Sequence, residues 1–396
     1  MKQVLGLYGC YHYHWRRHLA QATSRHVPAS NSMGGTRQSF STNSSSREQA
    51  KVVLVGSGRM GHIRAQLIRA NPKFHLAGIV DSNLNAAKKL AQTYHVPAYD
   101  RLEQVIQDGA ASTTNLPLDG LICSSPTLSH WSVVEESIQH GISSVFLEKP
   151  VETSAAKIKA LFDLASQNQV TLCCGFQRRF DPSYRSALEL LPTIYGKDAG
   201  ADKIVYANIF FGDHPVPPME FLLQGGGDIF MDLAAHDVDY VLQALQGQSI
   251  VSVYATGTSS TVALQEAGVH DNATMMLTCS GGTIVTIFLS RSATYGYDQR
   301  AEFFGPSGRI QVGNILETST VLSTSQGIHH SKYQHSFPQR FHQAFGNELD
   351  LFADLLLKKV AEWPVTQDDC IRVQQVTDAA QESARAGTVV HLPPYP

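Results

Sequence analysis

The residues of this 396-residue chain that could do chemistry lie in a few short segments. Gly56-Ser57-Gly58-Arg59-Met60-Gly61 spells G-x-G-x-x-G, the spacing of a backbone loop that cradles a pyrophosphate. Gly56 permits the tight turn, Gly58 lets phosphate approach the backbone, and Gly61 allows a helix to pack closely on the preceding strand. About twenty residues further on, Asp81 offers a carboxylate to the hydroxyls of an adenosine ribose. It would repel a 2′-phosphate, so NAD is expected over NADP. Asp232 and His236 are four residues apart, which puts two side chains on one helix face. A neutral imidazole is a suitable general base near pH 7 and can take a hydroxyl proton as a carbinol hydride leaves for nicotinamide. Asp232 would orient that imidazole or extend the relay. Lys149, in Glu148-Lys149-Pro150, would hydrogen-bond the reacting oxygen and favour its developing negative charge. Each motif also has a plain reading: a glycine turn with a surface Asp, a solvated Glu-Lys-Pro turn, a surface or capping His–Asp pair.

A scaffold must bring these residues together. Lys51–Val55 reads as a buried parallel strand leading into the glycine motif, and Ile63, Leu67 and Ile68 continue as a helix. Phe74–Val80 is a second strand ending at Asp81. Gly120–Cys123, Ser144–Leu147 and Val170–Cys174 read as further strands, and Leu84–Gln92, Leu102–Gln107, Trp131–Gln139 and Ser154–Ala165 as helical segments. Repeated β-α-β predicts a doubly wound parallel sheet with ligands beyond the C-terminal strand ends. Two polar clusters fall at such ends, Ser124-Ser125-Pro126-Thr127 with His130, and Glu148-Lys149-Pro150. The expectation is an α/β chain with a Rossmann domain over 49–174, its cofactor contacts from Gly56, Gly58, Arg59, Met60, Gly61, Asp81, Ser125, Pro126, His130, Glu148 and Lys149.

Further along, Ile204–Phe211, Val251–Ala255, Ala273–Cys279, Thr283–Leu289, Ala301–Phe304 and Arg309–Val312 read as successive strands, with Gly281-Gly282 as a hairpin turn. Residues 175–396 are therefore expected to form an α+β substrate-binding and oligomerisation domain. Its large, mostly antiparallel open sheet would carry helices on one face and suit a homodimer or homotetramer on the other. Phe341, Phe345, Leu349, Phe352 and Leu356 mark an amphipathic helix against that core. The final helix, Cys370–Ala386, ends at Gly387 and is expected near the domain junction. Gly225-Gly226-Gly227 would let the chain approach the cofactor without Cβ interference. His329-His330…His335 reads as a mobile loop over the cleft. With no H-E-x-x-H and no spaced Cys/His set, no metal is expected.

Composition excludes several classes. At 43% hydrophobic and 16% charged the chain has an ordinary globular balance. No apolar run approaches the ~20 residues of a membrane-spanning helix. A net charge of -3 lacks the basic excess of a nucleic-acid binder. That total hides an asymmetry. Lys2, Arg16, Arg17, Arg25, Arg37 and Arg47 precede the first acid, Glu48, in a stretch rich in serine. This is the composition of a transit peptide, so residues 1–48 are expected to be a leader, mitochondrial ahead of plastid. The alternatives are a cytoplasmic protein with a disordered extension and no address, or Met33 as the true initiator. The six cysteines include adjacent Cys173 and Cys174 but no C-x-x-C, which indicates neither a zinc ribbon nor a disulfide framework.

Taken in order, GSGRMG (56–61), the Ser-Ser-Pro-Thr…His130 segment, Glu148-Lys149-Pro150, GFQRRFDPSY (175–184), GGGDIFMDLAAHDVD (225–239) and SRSATYGYDQR (290–300) resemble the Gfo/Idh/MocA oxidoreductases. Within them the inositol 2-dehydrogenases are most similar, from about Lys51 to the C-terminus. The resemblance implies the same three roles for Lys149, Asp232 and His236, and polyol contacts from Arg178 and Tyr295 beside them. Asp181 and Tyr297 are open to a structural reading, and Arg179 to an acidic partner. One segment departs from the pattern. Where inositol enzymes carry a His-Arg-Asn-like stretch, this chain has Gly212-Asp213-His214-Pro215-Val216-Pro217-Pro218. His214 can still reach a polyol, but apolar residues replace the usual amide, which leaves the polyol's identity open. The expected activity is NAD-dependent oxidation of a secondary alcohol of a cyclic polyol to a ketone, most like myo-inositol 2-dehydrogenase. The alternatives are a dehydrogenase of another sugar, aldose or sugar acid, and a catalytically silent NAD-binding regulator. Retention of Lys149, Asp232 and His236 together speaks against the regulator.

Overall fold

The computed structural model describes residues 48–111, 117–197, 203–223, 228–245 and 247–393. Residues 1–47, which hold nearly all of the expected leader, and the glycine triplet 225–227 lie outside them.

Six short strands rich in Val, Ile and Leu form the first sheet: β1 Ala50–Val55, β2 Phe74–Val80, β3 Ala98–Tyr99, β4 Gly120–Cys123, β5 Ser144–Glu148 and β6 Thr171–Gly175. All pair in parallel, in the order β3-β2-β1-β4-β5-β6. This is the Rossmann order, whose direction switches between β1 and β4. The registers align the strand tips: Val55 pairs with both Val80 and Cys123, Cys123 with Leu147, and Glu148 with Gly175. The next residue of each strand therefore emerges at one edge, which collects Gly56, Asp81, Ser124 and Lys149. Helices α1 Arg59–Ala70, α2 Leu84–Tyr94, α3 Leu102–Ala111, α4 His130–Gln139 and α5 Ala155–Gln167 connect the strands.

After α6 (Pro182–Leu190) the chain builds a second sheet from β7 Tyr206–Gly212, β8 Ile250–Thr258, β9 Asn272–Cys279, β10 Ile284–Ser290, β11 Asp298–Gly305 and β12 Gly308–Val312. A short strand, Val390–His391, extends it at the β8 edge. The order is β12-β11-β7-β10-β9-β8 and then that last strand; only β7 and β10 run parallel. Alternation decides the faces. Met275, Leu277, Val285, Ile287 and Leu289 are buried, whereas Tyr254, Met276, Ile284 and Phe288 stand exposed on the other side. Gly282 makes the expected β9–β10 turn at φ +86°. Helix α7 (Ala235–Ala244) follows β7 in the chain, and Val321–Thr324 pairs with Gly327–His330 as a separate antiparallel hairpin. His329 and His330 are thus strand residues, not part of the loop expected there.

Two more helices tie the sheets together. Helix α8 (His342–Leu356) was expected on the antiparallel sheet, but it packs on the Rossmann sheet. Its Phe352 ring lies 6.5 Å from Phe74 and 5.7 Å from Phe146, and Lys73 Nζ reaches Asp350 and Asp354, each at 2.9 Å. Gly120 is small for this reason: a Cβ there would come within 2.8 Å of Leu356 Cδ2. Helix α9 (Gln367–Ala386) starts in a Thr366–Asp369 capping box and ends at Gly387 with φ +69°. It packs against both β8 and α5.

Beneath the strand tips lies a largely buried ionic cluster. Arg64 of α1 is fully buried, donates from Nε to Glu148 Oε1 at 2.6 Å, and has Nη2 2.7 Å from Glu348 Oε2 of α8. Burial, with Glu148 adding and Arg64 opposing, pushes the Glu348 carboxyl up from 4.5 to about 7. The folded state therefore binds this proton more tightly than the unfolded state does. Its contribution to stability is full below about pH 4.5 and is lost as pH rises through about 7. We expect the melting temperature of wild type to fall across that window and that of Glu348→Gln to fall less; parallel melting curves would contradict this.

Candidate active site

The glycine loop is shaped by what surrounds it. Gly56 has φ +98°, and a Cβ on it would sit 2.6 Å from Ser124 C; one on Gly61 would lie 2.1 Å from Gly56 O. At Gly58, by contrast, an added Cβ meets no protein atom within 4 Å. The fold itself does not demand that glycine, and the space in front of it is open to a ligand. Helix α1 begins there with no side-chain cap, so its first N–H groups are left for an anion. Asp81 holds the loop from the side, accepting from Ser57 N at 2.7 Å and Asn83 N at 2.9 Å. Its carboxylate has lone pairs left for ribose hydroxyls. These features fit a dinucleotide.

The other expected cofactor residues divide. Met60 is half-buried at the start of α1. Arg59 turns its guanidinium away to the C-terminal half, donating to Ser336 Oγ at 3.0 Å and lying 4.3 Å over the Phe337 ring. Ser125 is half-buried at the β4 tip, its Oγ 2.7 Å from Ser129 Oγ, and Pro126 is exposed beside it. His130 lies behind the strand tips. Its ring is buried, with Nδ1 3.1 Å from Val151 O and Nε2 3.2 Å from Ser125 O, so it joins the two strand-tip loops from behind. Glu148 likewise points to Arg64.

Lys149 points the other way. Its Nζ donates to Asp232 O at 2.7 Å and to Asp232 Oδ1 at 2.8 Å. Asp232 sits in a wide π turn, Phe230–Ala234, whose start is fixed by Asp228 Oδ1 accepting from Phe230 N at 2.8 Å. Such turns recur at functional sites because they push one residue out of helical register. Arg291, from the SRSATYGYDQR segment, donates to Asp232 Oδ2 at 3.1 Å. Burial alone would raise the Asp232 carboxyl, but Lys149 and then Arg291 outweigh it and hold it well below the usual carboxylate range. The two carboxylate oxygens of Asp232 thus each face a cation, Lys149 at Oδ1 and Arg291 at Oδ2.

His236 opens α7 beside this pair, with Nδ1 buried and unpartnered and the ring edge-on to Phe176 at 6.3 Å. Burial, then the Lys149 and Arg178 cations, hold its pKa well below the ordinary value, with Asp232 opposing. The imidazole is neutral at physiological pH. An ammonium, an ionised carboxylate and a neutral imidazole thus meet at the Rossmann strand tips, a set able to bind and move a proton on an alcohol oxygen.

Arg178 lies inside the fold. Expected on the polyol, it is enclosed at 1% exposure, paired with Asp237, and surrounded by the Tyr184, Phe211 and Phe341 rings at 5.7, 5.2 and 5.9 Å. Its guanidinium is one of the cations that hold the His236 pKa down. Arg179 finds acidic partners in Asp239 and Asp369; Asp181 caps α6 and accepts from Arg340 at 2.9 Å; Tyr297 is buried. His214 meets His335 edge-on at 5.0 Å, and Tyr295 is 52% exposed, its hydroxyl donating to Asp298 Oδ2 at 3.1 Å. Asp213, next to His214, is pushed by burial up to about 6, with Arg291 opposing and Asp232 adding.

Comparison with known proteins identifies the family. Residues 50–176 match the oxidoreductase family with an NAD-binding Rossmann fold, and residues 201–311 match the GFO/IDH/MocA C-terminal domain. The inositol 2-dehydrogenase of Rhizobium meliloti is 28% identical over 83% of this chain and 95% of its own length. The myo-inositol 2-dehydrogenase of Thermotoga maritima is 29% identical over 76% of this chain and 86% of its own. A crystal structure of a myo-inositol dehydrogenase from Corynebacterium glutamicum superposes with TM-score 0.75 at 26% identity, covering 88% of this chain and all of that one. The two family matches together span more than half of the chain, which therefore belongs to the Gfo/Idh/MocA family of NAD-dependent oxidoreductases.

Proposed function

We propose that this oxidoreductase oxidises a secondary alcohol of a cyclic polyol to a ketone, an inositol foremost, with Lys149, Asp232 and His236 doing the proton chemistry. The observation that carries the reading is the meeting of these three side chains at the strand tips beside a glycine loop open at Gly58. NAD, when bound there, supplies the hydride acceptor. Lys149 Nζ holds the substrate oxygen and favours its negative charge. His236, kept neutral, accepts the hydroxyl proton. Ionised Asp232 offsets the positive charge that the imidazole then gains. His214 and Tyr295 take the outer hydroxyls, while Arg178 stays behind the site.

The inositol enzymes among its relatives support an inositol substrate. The Asp213-His214-Pro215-Val216 stretch favours a second reading, another cyclic polyol, aldose or sugar acid, because it replaces ligands at the mouth. A panel of inositols, aldoses and sugar acids assayed by NADH absorbance decides between them. We expect turnover with at least one inositol. Turnover confined to aldoses or sugar acids would move the assignment to the second reading, and none at all would leave a silent regulator.

Asp81→Ser should relax the preference for NAD over NADP by about 10–100-fold, since about 1.4–2.7 kcal/mol of discrimination goes with the charge. An unchanged preference would count against Asp81 as the selector. Tyr254, Met276, Ile284 and Phe288 on the open sheet face support a homodimer or homotetramer, tested by sedimentation of Phe288→Asp. The basic, acid-free composition of residues 1–47 supports an organelle address, the mitochondrion first. Fused to a fluorescent protein, residues 1–48 should direct it to that organelle; a diffuse cytosolic signal would reject import.

A further inference from the structure

Glu348 is buried, titratable and unused by any step above. It lies on the apolar face of α8 among Phe345, Leu349 and Phe352, its side chain fully enclosed. Its cationic neighbour among the described residues, Arg64, has its guanidinium against the Phe146 and Phe345 rings at 4.6 and 5.1 Å. The guanidinium therefore cannot swing toward one carboxylate without leaving the other. Its second carboxylate, Glu148, is the last paired residue of β5 and directly precedes Lys149.

We propose that Glu348 is a positioning residue: through Arg64 it fixes Glu148, and so sets where Lys149 Nζ stands against Asp232. The proposal rests on the reading of Lys149 given above. Its basis is charge balance. Two carboxylates flank one guanidinium in a water-poor site. With Glu348 protonated, Arg64 belongs to Glu148 alone and the charges cancel. With Glu348 ionised, Arg64 is shared, one negative charge is left over, and the anchor on Glu148 weakens. Burial places this change near neutrality, with the Glu348 carboxyl at about 7. The other titratable groups facing it are the Cys173 and Cys174 thiols of β6, which burial raises far enough to keep them neutral there.

The test reads Lys149 directly and needs no turnover. Full-length wild type, Glu348→Gln and Glu348→Leu are treated with methyl acetimidate, and amidination of Lys149 is followed by peptide mass spectrometry relative to exposed Lys88. In wild type the normalised Lys149 rate should rise about threefold or more between about pH 6 and 8, as the anchor loosens. Glu348→Gln should remove that rise and Glu348→Leu should raise the rate at both ends. Identical normalised profiles in all three proteins would overturn the proposal, and where the Leu variant does not fold, an identical profile in wild type and Gln does so. An active enzyme with identical profiles refutes the positioning role alone. An enzyme inactive on every polyol but with the expected profiles refutes only the dehydrogenase reading.

Discussion

Lys149→Ala should lower kcat by about 10²–10⁴-fold, the scale of a lost proton-handling group, while NAD affinity changes by less than about threefold. The expectation follows from what Lys149 does at its two ends. Its Nζ is fixed on Asp232, at the edge where the strand tips converge, so removing it takes a donor and a positive charge from the place proposed for the reacting oxygen. None of the glycine-loop contacts involves it, so the dinucleotide site keeps its shape. A second signature separates this role from simple loss of structure. Lys149 is one of the cations that depress the His236 pKa. Without it that pKa rises, and the acid limb of kcat/KM, where His236 must be unprotonated, moves to higher pH. Near-unchanged turnover, or an unmoved acid limb, would contradict the assignment.

Arg178→Met should cost about 3–5 kcal/mol of stability, because it leaves the Asp237 carboxylate buried and unpaired. Urea unfolding measures this as a lower midpoint at constant slope. The double variant Arg178→Met, Asp237→Leu should recover most of the loss, since an apolar pair can replace a buried ion pair at little cost. If Arg178 instead gripped the polyol, as its place in the GFQRRFDPSY segment suggested, the single variant would raise KM with stability intact. That outcome would favour a substrate contact for Arg178.

These two residues mark where the sequence could and could not be read. Strand tips were legible because short Val, Ile and Leu runs end at Gly56, Asp81, Ser124 and Lys149, and parallel pairing then brings the tips together without further information. The glycine loop was legible because its steric demand is local. Which side of a segment faces the cleft was not. Arg178 and His130 sit in the right segments but turn inward, a choice made by residues as distant as Asp237 and Val151. Arg291 was missed as a partner of Asp232 because 59 residues separate them and only the β10 end brings them together. Helix α8 was recognised by its spacing but given the wrong sheet, since both sheets present similar apolar faces. A signal did exist: Glu348 interrupts the Phe341, Phe345, Leu349, Phe352 stripe, and a carboxylate on an apolar face needs a buried cation, which is Arg64.

The proposed reaction moves a hydride from a carbinol carbon of a cyclic polyol to NAD. Incubation with NAD and an inositol deuterated at its ring carbons, followed by mass spectrometry of the reduced nicotinamide, measures that transfer. Wild type should yield NADH carrying one deuterium, and His236→Ala should yield it at least about 10²-fold more slowly. Reduced cofactor without deuterium, or equal rates from the two proteins, would contradict the account.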